Sequence, residues 1–218
     1  LSDNFRDNNA LNSGFAQVRL GRQLSNGEIF VETSRQDQTV QLPGALSKAQ
    51  RRADRRQSST PRDYIEQIGD RSSIGGNWRL SEQWRLHLDA SHRRDSQEGL
   101  ITVFGTPSPL AQQREQIGIS PRLTGSITAL GKRHRVVTGL DHDQGTFTLT
   151  SVFGVTDGRL RTDNAYAHVT TELSETLELT TGWRLLRHEN ASRLGGYRPE
   201  HKDTANAGNI GLFWRATP

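Results

Sequence analysis

The chain is built from short stretches in which apolar and polar residues alternate strictly. Residues 84–90 (WRLHLDA) form one such stretch, and residues 177–185 (LELTTGWRL) form another. Because successive side chains of a β-strand point to opposite faces, each stretch has one apolar face and one polar face. The pattern therefore predicts an all-β protein whose strands have two unlike faces.

Nine strands are predicted, and the links between them are alternately short and long. The strands are expected at about residues 13–23, 28–36, 70–80, 84–93, 115–125, 133–143, 163–172, 177–188 and 207–215. The long links are expected at about residues 37–69, 94–114, 144–162 and 189–206. The third long link has alternation of its own and is expected to extend its flanking strands as a hairpin. Short turns on one side and long loops on the other are typical of an outer-membrane β-barrel.

The polar positions of these strands carry many charges. They include Arg19, Arg79, Arg85, His87, Asp89, Arg122, Arg135, Asp141, His168, Glu178 and Arg184. In a barrel this face lines the lumen, whereas on an ordinary sheet it is the solvated face. Trp78, Trp84 and Trp214 lie near the expected periplasmic ends of their strands, as expected for aromatic residues at a membrane interface.

Composition limits the other possibilities. Only 32% of the residues are hydrophobic, which is little for a soluble protein with a large core. No apolar run approaches the roughly 20 residues of a transmembrane helix, so a membrane protein with this sequence must be a barrel. The absence of cysteine excludes disulfides and cysteine-ligated metals. The net charge is +4 without any long block of like charges, so no nucleic-acid partner is expected.

The chain is interpreted as an internal piece of a longer protein. It contains no methionine, and its last predicted strand ends close to Pro218. Nine strands do not close a barrel with an even number of strands, and an exposed edge of this length is a liability. We therefore expect a sector of a larger barrel of about 22 strands.

Several of these segments resemble the TonB-dependent outer-membrane receptors. Residues 116–123 (QIGISPRL) and 136–143 (VVTGLDHD) look like barrel strands of that family, and residues 177–184 fit its Leu-x-Leu-x-x-Gly-x-Arg pattern. Residues 42–46 (LPGAL) resemble an extracellular-loop motif of some members. The resemblance implies an antiparallel up-and-down transmembrane β-barrel. It also implies that residues 1–218 are part of the β-barrel domain, with the plug domain and the C-terminal strands absent.

The resemblance also implies a function and a set of partners. A receptor of this family lies in the bacterial outer membrane and imports a ferric siderophore or a similar metal chelate or cofactor with TonB-derived energy. Its partners would be outer-membrane lipid and lipopolysaccharide, the small-molecule chelate, and the TonB–ExbB–ExbD system acting through the missing plug. A passive porin-like barrel, a barrel enzyme and a soluble β-rich ligand-binding or adhesion module remain as alternatives.

Basic residues are concentrated in the first long link. Between Lys48 and Arg62, six basic side chains accompany one acidic side chain, Asp54. Arginine presents a planar fork that suits carboxylate, phosphate or catecholate oxygens, so an anionic chelate is expected to be attracted here. A solvated loop or a contact with lipopolysaccharide is the alternative interpretation. The candidate ligand-binding residues of the long links are Arg51, Arg52, Arg55, Arg56, Tyr64, Phe104, Tyr197 and Arg198.

Catalytic and metal-binding motifs are missing from the sequence. No Gly-x-Ser-x-Gly elbow, His-Glu-x-x-His motif or phosphate-binding loop occurs. The order of His134, Asp141 and His142 has no recognised metal-ligand spacing. We therefore expect neither an enzyme nor a resident cofactor or metal.

Overall fold

The chain forms one antiparallel sheet of nine strands in which every strand pairs with its neighbours in sequence. The structure is a computed structural model that describes residues 5–216. Its strands are β1 (Leu11–Leu24), β2 (Gly27–Gln41), β3 (Tyr64–Arg79), β4 (Trp84–Val103), β5 (Thr106–Ala129), β6 (Lys132–Ser151), β7 (Gly154–Glu172), β8 (Leu177–Leu194) and β9 (Glu200–Trp214). This architecture confirms the all-β, up-and-down topology predicted from the alternating pattern.

The register of the sheet places the apolar positions of neighbouring strands side by side. Val31 lies opposite Leu20 on β1 and opposite Ile74 on β3, and Ala90 of β4 lies between Ile74 and Ile119. Since directly paired residues share a face, these side chains form one continuous apolar face. The intervening positions, which carry Arg19 and the other charged residues named above, form the opposite polar face.

The apolar face is not covered by any part of the chain that the structure describes. No hydrophobic residue among residues 5–216 is buried. Leu20 is 71% exposed, Ile74 59% and Ile210 77%. Burial of apolar area supplies most of the stability of a water-soluble fold, so this face requires an apolar environment. Within the same residues, no helix has the length and apolar content needed to cross a membrane.

Two of the loop predictions are wrong, because the strands extend beyond the residues in which apolar and polar positions alternate. Residues 94–114 and 189–206 were expected to be links, yet β4 continues to Val103 and β8 continues to Leu194. The β4–β5 turn is only Phe104-Gly105, both with positive φ, which is the geometry of tight type I′ hairpins. The upper part of β4 is polar on both faces over residues 94–99 and then has the consecutive apolar residues Leu100 and Ile101, so it carries no strict alternation to detect.

The third long link is a hairpin, as the sequence predicts. Ser151 pairs with Gly154 across a two-residue turn, and Gly154 has a φ of 108°. The first long link is shorter than predicted, because β2 extends to Gln41 and β3 begins at Tyr64. Residues 42–63 remain as a true loop, which contains one short helix, α1 (Lys48–Ala53).

The four short turns lie where the sequence predicts them, although one is built differently. The signal in the first turn was the pair Asn26-Gly27, whereas the turn residues are Ser25 and Asn26, and Gly27 already pairs with Leu24. A Cβ on Gly27 would collide with the carbonyl oxygen of Asn77 on β3. The glycine therefore permits close approach of the neighbouring strand, and the hairpin does not depend on it for its turn.

Candidate ligand-binding site

The loop between β2 and β3 is held in a defined conformation by local hydrogen bonds. The Ser47 side chain accepts a hydrogen bond from the backbone N–H of Gln50, whose own side chain accepts one from the Ser47 N–H. This reciprocal capping box satisfies two donors that a helix start leaves free. Further along, the Gln57 side chain donates to the carbonyl oxygens of Gln50 and Asp54 at 2.7 and 2.9 Å. Hydrogen bonds therefore join the helix α1 to the turn that follows it.

The segment before β1, which contains Arg6 and Asn8, is hydrogen-bonded to the same loop. Asn8, which has a φ of 53°, donates from its side chain to the carbonyl oxygens of Leu42, Thr60 and Asp63 at 2.7–3.0 Å. The Arg6 guanidinium donates to three further loop carbonyls, at residues 43, 44 and 57. Two side chains thus hold both ends of the loop together.

A buried carboxylate joins the end of this loop to the next hairpin. Asp63 is only 6% exposed and accepts hydrogen bonds from the backbone N–H and the hydroxyl of Thr102, each at 2.8 Å. Thr102 lies two residues before Phe104, at the tip of the β4–β5 hairpin. The structure therefore brings the basic loop and the Phe104 hairpin together, which the sequence did not predict.

The four arginines of the basic loop are exposed. Arg51 and Arg52 lie in the last turn of α1, and Arg55 and Arg56 follow the helix. The Arg56 backbone is part of the scaffold, because its carbonyl accepts from Asp7 at 2.7 Å while its N–H donates to Asp54 at 2.8 Å. The guanidinium groups project from an ordered loop, and their role in binding stays a prediction.

The other candidate residues are dispersed. Tyr64 begins β3 and shares the face of the apolar band with Leu100. Phe104 is 95% exposed in the β4–β5 turn, and Tyr197 is 70% exposed in the β8–β9 turn. Since β3 and β8 are five strands apart, about 24 Å separates them along the sheet. The structure therefore does not gather the eight residues into one site.

Arg198 lines a groove of about 580 Å³ near the tips of β6–β9. Arg159, Arg193 and Glu200 lie there too, on the same side of the sheet as the apolar band. Glu200 also accepts a hydrogen bond from Lys202 at 2.9 Å and so raises the pKa of that ammonium. The groove is a mixed-charge surface, and it lies away from the polar face.

On the polar face, a second cluster lies lower in the sheet, between β6 and β8. The Asn164 side chain donates to Asp141 at 2.7 Å and accepts from the Nε–H of Arg184 at 2.7 Å. Asn164 is 5% exposed, and the three side chains line a cavity of about 460 Å³ together with His168. The bridge keeps an aspartate and an arginine of the predicted lumen face in place.

Sequence reasoning missed a polar surface at the upper end of the polar face. The register aligns four glutamines on four neighbouring strands: Gln38, Gln67, Gln97 and Gln112. On the same face, the next step toward the short turns carries the facing residues Asp95 and Arg114. The step after that carries the facing residues Arg71 and Arg93. We call these eight residues the amide–arginine patch. Each lies in or next to a predicted loop, and only cross-strand pairing brings them together.

Comparison with solved structures places the whole sheet in a known architecture. The ferric citrate transporter FecA in its unliganded form superposes with a TM-score of 0.90 over 97% of this chain, at 16% identity. BauA, the ferric preacinetobactin receptor of Acinetobacter baumannii, gives 0.80 over 99% at 14% identity. The ferripyoverdine receptor of the Pseudomonas aeruginosa outer membrane gives 0.81 over 98% at 11% identity. No protein-family profile matches the chain, and no curated protein matches it in sequence.

These matches confirm the expected resemblance to TonB-dependent receptors at the level of the fold. The chain spans 35–39% of the length of these three proteins. It therefore has the fold of a sector of their β-barrels. In such a barrel the apolar face meets lipid and the polar face lines the interior.

Proposed function

We propose that this chain is part of the wall of an outer-membrane receptor that imports a ferric siderophore or a similar metal chelate. The observation that carries the proposal is the superposition on barrels described as ferric-chelate receptors, over nearly the whole chain. The exposed apolar face on one side and the charged face on the other agree with a lipid-embedded wall. The rest of a barrel of about 22 strands and a plug would come from other parts of the protein.

Transport in this proposal draws on energy from the inner membrane. The chelate would bind at the outer end of the polar face, and the TonB–ExbB–ExbD system would act through the plug. Lipid would cover the apolar band, and lipopolysaccharide would meet the charged residues above it on the same face, such as Arg159 and Arg193. The chain itself supplies binding and a path, and no catalytic step is assigned to it.

The test is uptake of radiolabelled iron by iron-starved cells that carry or lack the complete receptor gene, supplied with one ferric chelate at a time. We expect uptake of one chelate class to require the receptor and to stop when TonB is inactivated, while binding to the cells persists. Uptake that continues without TonB would indicate a passive porin instead. Recovery of the folded protein without detergent would indicate a soluble module.

The basic loop has its own test within this proposal. Replacing Arg51, Arg52, Arg55 and Arg56 together by alanine removes four exposed positive charges from an ordered loop. We expect weaker binding and slower uptake of an anionic chelate, because the long-range attraction toward the barrel mouth is lost. Replacing Arg133 on β6, far from the loop, is the control. Unchanged affinity and uptake in the fourfold variant would remove this loop from the binding site.

A further inference from the structure

We propose that the amide–arginine patch binds the carboxylate groups of an anionic, oxygen-rich ferric chelate. The inference rests on the proposed import function and names the chemical class of its ligand. The patch lies on the polar face at the end of the sheet that carries the long hairpins. A chelate entering the barrel mouth from outside would meet it first.

The glutamine row offers many unused hydrogen-bonding groups. Gln38, Gln67, Gln97 and Gln112 lie opposite one another on successive strands, where paired Cβ atoms are about 5 Å apart. All four are half-buried, and among residues 5–216 none of their side chains forms a hydrogen bond to another protein group. Each amide has two donor hydrogens and an acceptor oxygen. The row can therefore bind carboxylate and hydroxyl oxygens along its length.

The arginines make the patch positive. Arg71 lies directly opposite Arg93, an arrangement of like charges that costs stability unless something compensates it. Asp95 forms an ion pair with Arg93, with N···O distances of 2.9 and 3.1 Å, and the Asp95 side chain is only 15% exposed. Within the described residues, no acidic side chain lies within 4 Å of the Arg71 or Arg114 guanidinium. Three guanidinium groups thus face one carboxylate, and a bound anion would relieve the repulsion.

The surroundings favour carboxylates over aromatic chelating groups. Arg71 and Arg93 line a cavity of about 200 Å³ together with Gln36, Gln38, Gln67, Asp95 and Asp70. Asp95 pairs with Arg93, and Asp70 pairs with Arg35 of β2. The cavity's one aromatic lining residue is Phe15, whereas flat aromatic ligands are best held by stacking on aromatic side chains. Planar guanidinium forks match carboxylates with paired hydrogen bonds. A ferric hydroxycarboxylate therefore fits the patch better than a catecholate.

The experiment measures binding of ferric citrate to the complete purified receptor in detergent, by quenching of tryptophan fluorescence. We expect the double variant R71Q/R93Q to lower the affinity about tenfold or more, because two charge-assisted hydrogen-bonding groups are lost. The affinity of the wild-type receptor should also fall as salt rises, and that dependence should weaken in the variant. R94Q is the matched control, since Arg94 is the next residue of β4 and faces the other side of the sheet.

A second pair of variants tests the glutamine row without removing positive charge. Q112L should weaken ferric citrate binding, whereas Q113L, on the opposite face of β5, should not. Q67E should weaken it further by adding a negative charge to the cavity that Arg71 and Arg93 line. Heat-modifiable migration on gels reports whether each variant is folded, so a loss of binding can be separated from a loss of structure.

Three outcomes would overturn the inference. Equal affinity in R71Q/R93Q and R94Q would exclude the arginines. Equal affinity in Q67E and wild type would exclude the patch as a whole, even if the double variant misfolds. Binding of a neutral ferric trihydroxamate but not of ferric citrate would exclude the ligand class while leaving the import function in place. Failure to transport any ferric chelate would overturn the import function itself.

Discussion

Asn164 is a buried polar residue, and its contribution to stability depends on its hydrogen bonds to Asp141 and Arg184. It is 5% exposed and links Asp141 to Arg184 across three strands. A buried polar group that loses its hydrogen bonds costs free energy, because it is cut off from water as well. The bridge therefore stabilises the polar face at the place where the sheet carries an aspartate and an arginine close together.

We expect Asn164→Leu to lower the free energy of unfolding of the receptor by about 1–3 kcal/mol, since the nearly isosteric side chain leaves both partners without their hydrogen bonds. Thermal unfolding in detergent measures the change. Asn209→Leu is the control, because Asn209 is an exposed polar-face residue of β9. A similar loss in both variants would argue against a special role for the bridge.

Phe104 occupies a position that glycine would fill more favourably. Its φ is 50° and its side chain is 95% exposed, so it has neither a relaxed backbone nor a packed ring. A non-glycine residue in the left-handed region costs about 1 kcal/mol or more. The exposed ring is therefore free to contact a ligand, and a substitution can separate its contribution to binding from that of the strained backbone.

We expect Phe104→Gly to leave the unfolding temperature unchanged or raised and to lower the affinity for the transported chelate. Leu130 provides the matched control, since it has a φ of 53°, is 97% exposed and lies in a tight turn at the other end of the sheet. Leu130→Gly should give the same relief of strain without any change in affinity. Equal affinities for the two variants would remove Phe104 from the candidate site.

At the scale of the element, the β2–β3 loop is ordered by residues far from it in sequence. Asn8 donates to three carbonyl oxygens of the loop, and Asp63 anchors its end to Thr102. Loops without such contacts are mobile and are readily cut by proteases. The arginines of this loop therefore depend on the segment before β1 for their positions.

We expect Asn8→Ala to speed the cleavage of residues 42–63 by trypsin, because three backbone carbonyls lose their donor while the arginines that trypsin recognises stay in place. The rate of limited proteolysis of the folded receptor is the measurement. Asn12→Ala, on an exposed position of β1, should leave the rate unchanged. Cleavage at the wild-type rate in Asn8→Ala would contradict a role of Asn8 in ordering the loop.

At the scale of the whole molecule, the two faces of the sheet require two different environments, one apolar and one polar. The apolar face is continuous from β1 to β9 and is not covered by any of residues 5–216. The polar face carries ion pairs such as Arg19–Glu32 at 3.3 Å and Arg135–Glu178 at 2.7 Å. A sheet of this kind is stable when lipid covers one side and a polar interior lies on the other.

We expect Ile74→Arg to reduce the amount of folded receptor in the outer membrane, because an arginine on the lipid face of a barrel costs about 2–4 kcal/mol near the bilayer centre. Ser73→Arg is the control one residue away, where the new side chain faces the polar side near Glu32. Membrane fractionation with heat-modifiability gels gives the folded amount. Equal assembly of both variants would contradict the assignment of the faces.

The sequence by itself determined the strand count, the order of turns and the two faces. These follow from a period of two in apolar positions such as Leu86, Leu88 and Ala90, which is a local property of the chain. The same signal disappears above the apolar band, where polar and apolar residues no longer alternate strictly. This is why residues 94–114 and 189–206 were predicted as loops and proved to be hairpins.

Only the tertiary structure decided which polar residues act together. Gln38, Gln67 and Gln97 are about 30 residues apart in sequence, and their alignment depends on the register of two strand pairs. A shift of one residue in register would turn each of them to the other face. For the same reason Asn8, Asp63 and Asn164 carried no recognisable signal in the sequence, since their importance lies in partners on other elements.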